Sequence, residues 1–265
     1  MQTSRRNFLK TAGLAALGFA VVKPTLDIFS HLKPAEAWSE AQLSGESVVA
    51  HRYAMVVDTR ACEEAGECTK CIDACHLTHN VPKMTDKDEE IKWIWKAPYG
   101  KVFPEGEYTF LESDLKNRPV MVLCNHCTNP PCVKYCPTKA TWKREEDGIV
   151  MIDYHRCIGC RYCMAGCPYG ARSFNWRNSR PFIEEINPDF PTRTRGVVEK
   201  CNFCEERLAK GLIPACVEAC PQQAQALIFG DLEDPDSKVR EILRTKHFIQ
   251  RLPELGTQPN VYYLE

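Results

Sequence analysis

Apolar positions along this chain gather mostly in short runs and alternations. "RYAMVVD" (Arg52 to Asp58) and "QALIFGD" (Gln225 to Asp231) predict strands. "ATWKREEDGIVMID" predicts a β-hairpin, with a strand from Thr141 to Lys143, a turn at Asp147-Gly148 and a strand from Ile149 to Ile152. Between residues 83 and 122, Trp93, Trp95, Tyr99, Phe103, Tyr108 and Phe110 alternate with polar positions, predicting a β-rich insertion whose aromatics either cover the core or face a partner. Ser173 to Lys200 is rich in proline and arginine and lacks a period, so it predicts a surface excursion. Ser237 to Arg244 predicts a short helix. The closing stretch "LPELGTQPNVYYLE" reads as an extended C-terminal tail, poor in core signals, that lies along a neighbouring subunit. Strands and helical turns mixed in this way predict an α+β fold.

The N-terminus follows a different pattern. "SRRNFLK" (Ser4 to Lys10) fits the twin-arginine form S-R-R-x-F-L-K, and the apolar stretch Ala12 to Val22 and an A-x-A site, Ala35-Glu36-Ala37, follow it. These three parts in order predict a Tat signal segment over residues 1–37 and a protein on the periplasmic face of the cytoplasmic membrane. An apolar run of eleven residues is short for a spanning helix, which needs about 20.

Composition changes the picture through one residue type. With 44% hydrophobic residues, 265 positions could bury a sizeable core, but sixteen cysteines far exceed what packing needs. A formal net charge of −1 provides no global field for nucleic acid, which is set aside as a partner.

The cysteines form four runs: Cys62, Cys68, Cys71, Cys75; Cys124, Cys127, Cys132, Cys136; Cys157, Cys160, Cys163, Cys167; and Cys201, Cys204, Cys216, Cys220. The third has the bacterial ferredoxin spacing C-x2-C-x2-C-x3-C. The others vary in their earlier gaps but keep x3 at the end, as expected if the last step is a helical turn of fixed reach. Pro137, Pro168 and Pro221 follow the fourth cysteine of three runs and direct the chain away; His76 stands there in the first. Asp58 precedes Cys62 by four positions, as Asp153 precedes Cys157, so Cys62 matches the first ligand of the regular run, and Glu63 to Glu67 are a polar surface loop. Zinc ribbons use two knuckles rather than triplets followed by x3 and proline. Disulfides do not account for the spacing. The pattern predicts four [4Fe-4S] clusters with no cysteine left over. His126 and His155 then need not be ligands and read as loop or supporting residues.

In two-cluster ferredoxins the fourth cysteine of a run reaches the other cluster. The second and third runs, with the hairpin between them, make a compact inner unit over about 120–172. If the first and fourth runs pair outside it, the ligand sets are Cys62, Cys68, Cys71 with Cys220; Cys201, Cys204, Cys216 with Cys75; Cys124, Cys127, Cys132 with Cys167; and Cys157, Cys160, Cys163 with Cys136. Two nested ferredoxin-like units would then occupy residues 38–230, with the insertion at about 83–122 and the tail at 231–265. The sequence contains no G-x-G-x-x-G, P-loop, G-x-S-x-G or H-E-x-x-H. An electron-transfer subunit without a substrate site of its own is therefore expected.

With these runs in view, the chain resembles the four-cluster ferredoxin-like subunits that connect membrane quinone modules to redox partners, the family containing the electron-transfer subunits of dimethyl sulfoxide, nitrate and formate enzymes. The leader together with "CTKCIDACHLTHNVP", "RPFIEEINPDFPTRTRGVVEKCNFCEERLAKGLIPACVEACP" and "FGDLEDPDS" is most similar, within that family, to the periplasmic iron–sulfur subunits, O, of Dsr membrane complexes. This resemblance implies three kinds of partner: a polytopic, NrfD-like quinone-interacting membrane subunit, a periplasmic multihaem cytochrome c, and other subunits of the complex. The x5 gap and His76 depart from the family's commonest first run.

Overall fold

The computed structural model describes residues 50–104, 110–221 and 224–265; the predicted Tat segment, the Ala35-Glu36-Ala37 site expected within it and Tyr108 lie outside the described residues. The central element is a four-stranded sheet in the order β8 (Leu227–Asp231), β1 (Tyr53–Asp58), β10 (Val261–Leu264), β9 (Phe248–Ile249). β1 (Tyr53–Asp58) and β8 (Leu227–Asp231) are the two predicted strands, and they pair antiparallel with Met55 opposite Phe229. Their apolar side chains pack to opposite faces, as a period of two requires. Met55 and Val57 enter the large core, whereas Ala54 and Val56 face the helix Lys238–Thr245 and its smaller cluster. That helix starts where Ser237 caps it, its hydroxyl accepting from the Arg240 N–H.

The C-terminal segment corrects the expectation of an extended tail. β10 (Val261–Leu264) runs parallel to β1 and antiparallel to β9 (Phe248–Ile249), so it is an interior strand of the sheet. Val261 and Tyr263 are fully buried. The sequence signal was weak because three apolar side chains suffice once both neighbours are supplied from elsewhere in the chain.

The predicted hairpin forms from β4 (Thr141–Lys143) and β5 (Val150–Ile152), with Thr141 opposite Ile152 and Gly148 in the left-handed region at φ 76°. The insertion contains one antiparallel pair, β2 (Ile94–Pro98) with β3 (Pro119–Leu123), and the short helices Tyr99–Val102 and Ser113–Asn117. Trp93 and Phe103 are buried in the core, while Phe110 is 98% exposed. The aromatics therefore do not all act as cover.

Ser173 to Lys200 is more than a surface excursion. Its ends pair as β6 (Ser173–Phe174) with β7 (Val198–Glu199), and Arg193 and Glu199 form a fully buried ion pair at 2.6 Å. Arg193 also donates to the carbonyls of His79 and Asn80, and Glu199 accepts from Trp93 Nε1 at 2.9 Å. A charge pair whose members meet a distant segment leaves no periodicity to read.

Candidate metal centres

Each cysteine run takes its shape from local backbone chemistry. In three runs the residue just before the second cysteine is left-handed: His126 at φ 41°, Gly159 at φ 68° and Phe203 at φ 59°. That reversal turns successive thiols toward one point. At Gly159 the turn also needs the absence of a Cβ, which would collide with the Gly196 carbonyl oxygen. The third cysteine of every run lies at the second position of a helix: Lys70–Thr78, Pro131–Lys134, Tyr162–Ala165 and Ala215–Glu218. The last three helices have four residues each, and proline follows the fourth cysteine. The first has nine, because His76 allows the helix to continue to Thr78.

Cys62 lies inside the helix Thr59–Glu64, capped by Asp58, whose carboxylate accepts from the Ala61 N–H at 3.0 Å. Asp153 likewise accepts from His155 N at 2.8 Å, ahead of Cys157. Residues 63–67 are exposed and turn at Gly66, φ 67°. The predicted loop is thus partly the end of a helix.

The sulfurs gather in groups that cross between runs. One small cavity is lined by Cys124, Cys127, Cys132 and Cys167. A second is lined by Cys136, Cys157, Cys160 and Cys163. In both, three thiols come from one run and one from the other. Cys71 interacts electrostatically with Cys62, Cys220 and Cys68, and Cys75 with Cys204, Cys201 and Cys216. Electrostatic interactions also link the groups to one another. Cys75 and Cys216 reach Cys71, Cys201 reaches Cys124, and Cys163 reaches Cys132. All sixteen cysteines are free of disulfide bonds.

Burial pushes the thiols of Cys71 and Cys201 up to about 12, and neighbouring sulfurs add to the shift. Cys75 and Cys204 are raised well above the ordinary thiol value for the same reasons. Crowded, desolvated thiolates are costly unless a cationic core lies between them, which is the arrangement a metal cluster supplies. Cys136 is the exception, because N–H and hydroxyl donors from Thr141, Thr138 and Ala140 outweigh its burial and lower its pKa. Arg172 has two buried nitrogens, Nε and one terminal amine, with no protein partner. Donor set, cavities and spare donors therefore fit iron–sulfur clusters, whose sulfurs accept hydrogen bonds.

His126 is buried and stacked on Phe203 at 3.7 Å, and its Nδ1 accepts from the Val150 N–H at 3.0 Å, a supporting role. His155 is exposed. Sequence reasoning missed His79, which stacks on Trp93 at 4.4 Å and contacts Glu206 through Nε2 at 2.9 Å. Cys204 lies close to both of these polar groups. Arg172 was missed too. The signal available was an arginine directly after Pro168-x-x-Ala171, where the matching positions hold Thr141 and Gln225.

Comparison with known proteins agrees with this donor chemistry. The 4Fe-4S dicluster domain family matches residues 119–181 and, in a second form, residues 156–225. Over 98% of its length, aligned to 97% of the relative, the chain is 39% identical to the Hdr-like menaquinol oxidoreductase iron-sulfur subunit 1 of Archaeoglobus fulgidus. The chain belongs to the 4Fe-4S dicluster iron–sulfur subunit family. It is 38% identical, over 80% of the chain and 88% of the relative, to the iron-sulfur cluster-binding subunit of a menaquinone reductase from Nitratidesulfovibrio vulgaris. A tetrathionate reductase subunit of Salmonella typhimurium is 35% identical over 100% of the chain and 89% of its own length. As a 4Fe-4S subunit of this family, the protein is an iron–sulfur electron-transfer subunit.

Proposed function

We propose that the protein holds four [4Fe-4S] clusters, each bound by one of the four crossed cysteine groups, and relays electrons along them between a quinone-interacting membrane subunit and a periplasmic redox partner. The observation that carries this reading is the order of the groups: the thiols of Cys62, Cys68, Cys71 and Cys220 neighbour those of Cys75, Cys201, Cys204 and Cys216, and Cys201 in turn neighbours Cys124. Cys132 and Cys163 continue the row. Such a row suits one-electron hops from one end of the chain to the other, and the protein sets each potential by burial, charge and hydrogen bonds.

The membrane partner is a polytopic, NrfD-like subunit and the periplasmic partner a multihaem cytochrome c, by the resemblance to the Dsr iron–sulfur subunits. Likeness to menaquinol and menaquinone oxidoreductase subunits supports the quinone side. Arg5 and Arg6 direct the cluster-loaded protein through the Tat route. Changing both to lysine should leave loaded protein in the cytoplasm; unchanged delivery across the membrane would remove the export argument.

A second reading follows from the likeness to the tetrathionate reductase chain. On it, the protein is the electron-transfer half of an oxidoreductase whose molybdopterin chain binds the substrate. Purification in mild detergent separates the two, since a polytopic protein with a cytochrome supports the first and a large molybdopterin chain the second. Under anaerobic handling the protein should carry about 16 irons, four per cluster; about eight, or zinc in their place, contradicts the four-cluster reading.

A further inference from the structure

Arg172 is nearly fully buried, yet among the described residues it forms no ion pair with a carboxylate. It follows Ala171 at the end of the third cysteine run and points between the two inner groups. One terminal nitrogen donates to Cys132 Sγ at 3.1 Å and to the Thr141 hydroxyl at 2.8 Å. The remaining buried nitrogens have no protein partner. The thiols of Cys132, Cys163, Cys124 and Cys167 surround its charge. Two of these, Cys132 and Cys163, belong to different groups. Cys163, in the other inner group, is also a side-chain partner of Arg172.

A guanidinium remains charged throughout the pH range in which the protein folds, and its planar fork can serve acceptors on two sides at once. Reduction adds one electron to a cluster whose four thiolates already make it anionic. A fixed positive charge in a low-dielectric interior favours that added electron, and N–H donation to cluster sulfur acts in the same direction. The other buried cation nearby is arranged differently. Lys200 donates to the carbonyls of Val150 and Cys201, which leaves it little to offer sulfur.

We propose that Arg172 is a shared potential-setting residue of the two inner clusters, raising the reduction potential of both through one buried guanidinium that faces a sulfur of each. It does not touch a substrate or carry an electron. It positions positive charge so that the two inner sites accept electrons more readily than the same cysteine sets would alone. The proposal rests on the four-cluster reading, and the iron count separates the two: fewer than four clusters in the parent protein fails that reading, whereas a full set with unmoved potentials fails the role of Arg172.

The test is an EPR-monitored redox titration of the full, anaerobically loaded protein and of its Arg172→Gln and Arg172→Lys variants. Arg172→Gln should shift two of the four midpoint potentials negative and leave two unchanged. Arg172→Lys, which keeps the charge but not the fork, should shift the same two by less. Replacing Cys160 with Ser identifies which signal belongs to the inner site formed by Cys136, Cys157, Cys160 and Cys163, and that signal must be one that moves. If Arg172→Gln does not retain its iron, Arg172→Lys decides alone: two shifted potentials support the proposal. Four unmoved potentials in a loaded variant, or an equal shift in all four, would overturn it and leave Arg172 as a structural clamp on Thr141.

Discussion

The inner unit closes locally, from Cys124 through the β4–β5 hairpin to Arg172, whereas the outer unit joins Cys62 to Cys220 and completes its sheet only with Val261–Leu264. Both use the same rule, three thiols from one run and a fourth from the other. They differ in what surrounds the thiols. In the outer unit Cys75, Cys201, Cys204 and Cys216 are all buried, and the segment carrying Arg193 and Glu199 packs beside them through His79. In the inner unit Cys160 is exposed and a buried arginine lies between the groups. One cysteine pattern therefore yields a unit closed by distant segments and a unit closed by its own hairpin.

That contrast sets the order of expected effects. The largest follows from deleting Val261–Glu265, which strips β1 and β9 of their shared partner and removes buried Val261, Tyr263 and Leu264. At about 1.5–3 kcal/mol per buried side chain, the loss approaches the ~5–15 kcal/mol of a typical domain. The outer clusters should fail to assemble, while the inner unit, read by its iron and its EPR signals, survives in part. Retention of all four clusters would show that the sheet does not support the outer sites.

Next comes Glu199→Gln, which leaves Arg193 buried and unpaired, at a cost of about 3–5 kcal/mol in a denaturant titration. Cluster loss should begin in the outer unit, because Arg193 holds the His79 and Asn80 carbonyls. An effect below about 1 kcal/mol would mean the pair is dispensable.

The smallest effect is at Asp231, whose carboxylate accepts from the backbone of His51, Arg52 and Glu233 at the edge of the outer sheet. Burial alone would raise its pKa, but those donors outweigh it and hold the pKa below the ordinary carboxylate value. The ionised form is thus favoured in the folded state, so its contribution is fully present above the ordinary value and is lost as pH falls through the depressed one. Asp231→Asn should cost of the order of 1 kcal/mol, constant between about pH 5 and 8 and shrinking only below about pH 4. A difference that varies across neutral pH would assign the effect to another group.

The inner unit was the more legible of the two because its determinants are local. Thr141 and Ile152 carry their own pattern and turn, and the spacing of the second and third runs places three thiols with one. Cys62 was legible through Asp58, which caps the helix entering the run as Asp153 caps the approach to Cys157. What was hidden depends on non-local partners. Tyr263 reads as part of a tail until β1 and β9 flank it, and Arg193 reads as a surface charge until Glu199 meets it inside the fold. Arg172 looks like any basic residue after a helix, since its acceptors come from other segments.

The central claim, crossed pairing in both units, is tested most directly by low-temperature EPR of the Cys62→Ala and Cys220→Ala proteins, reduced and oxidised. Their thiols neighbour one another although they stand 158 positions apart in sequence. Both variants should lose or convert the same single outer cluster, perturbing it toward a three-iron form, with both inner signals intact; Cys75→Ala should affect its neighbour instead. Loss of different clusters in the Cys62 and Cys220 variants, or an unchanged set of four in either, would contradict the account.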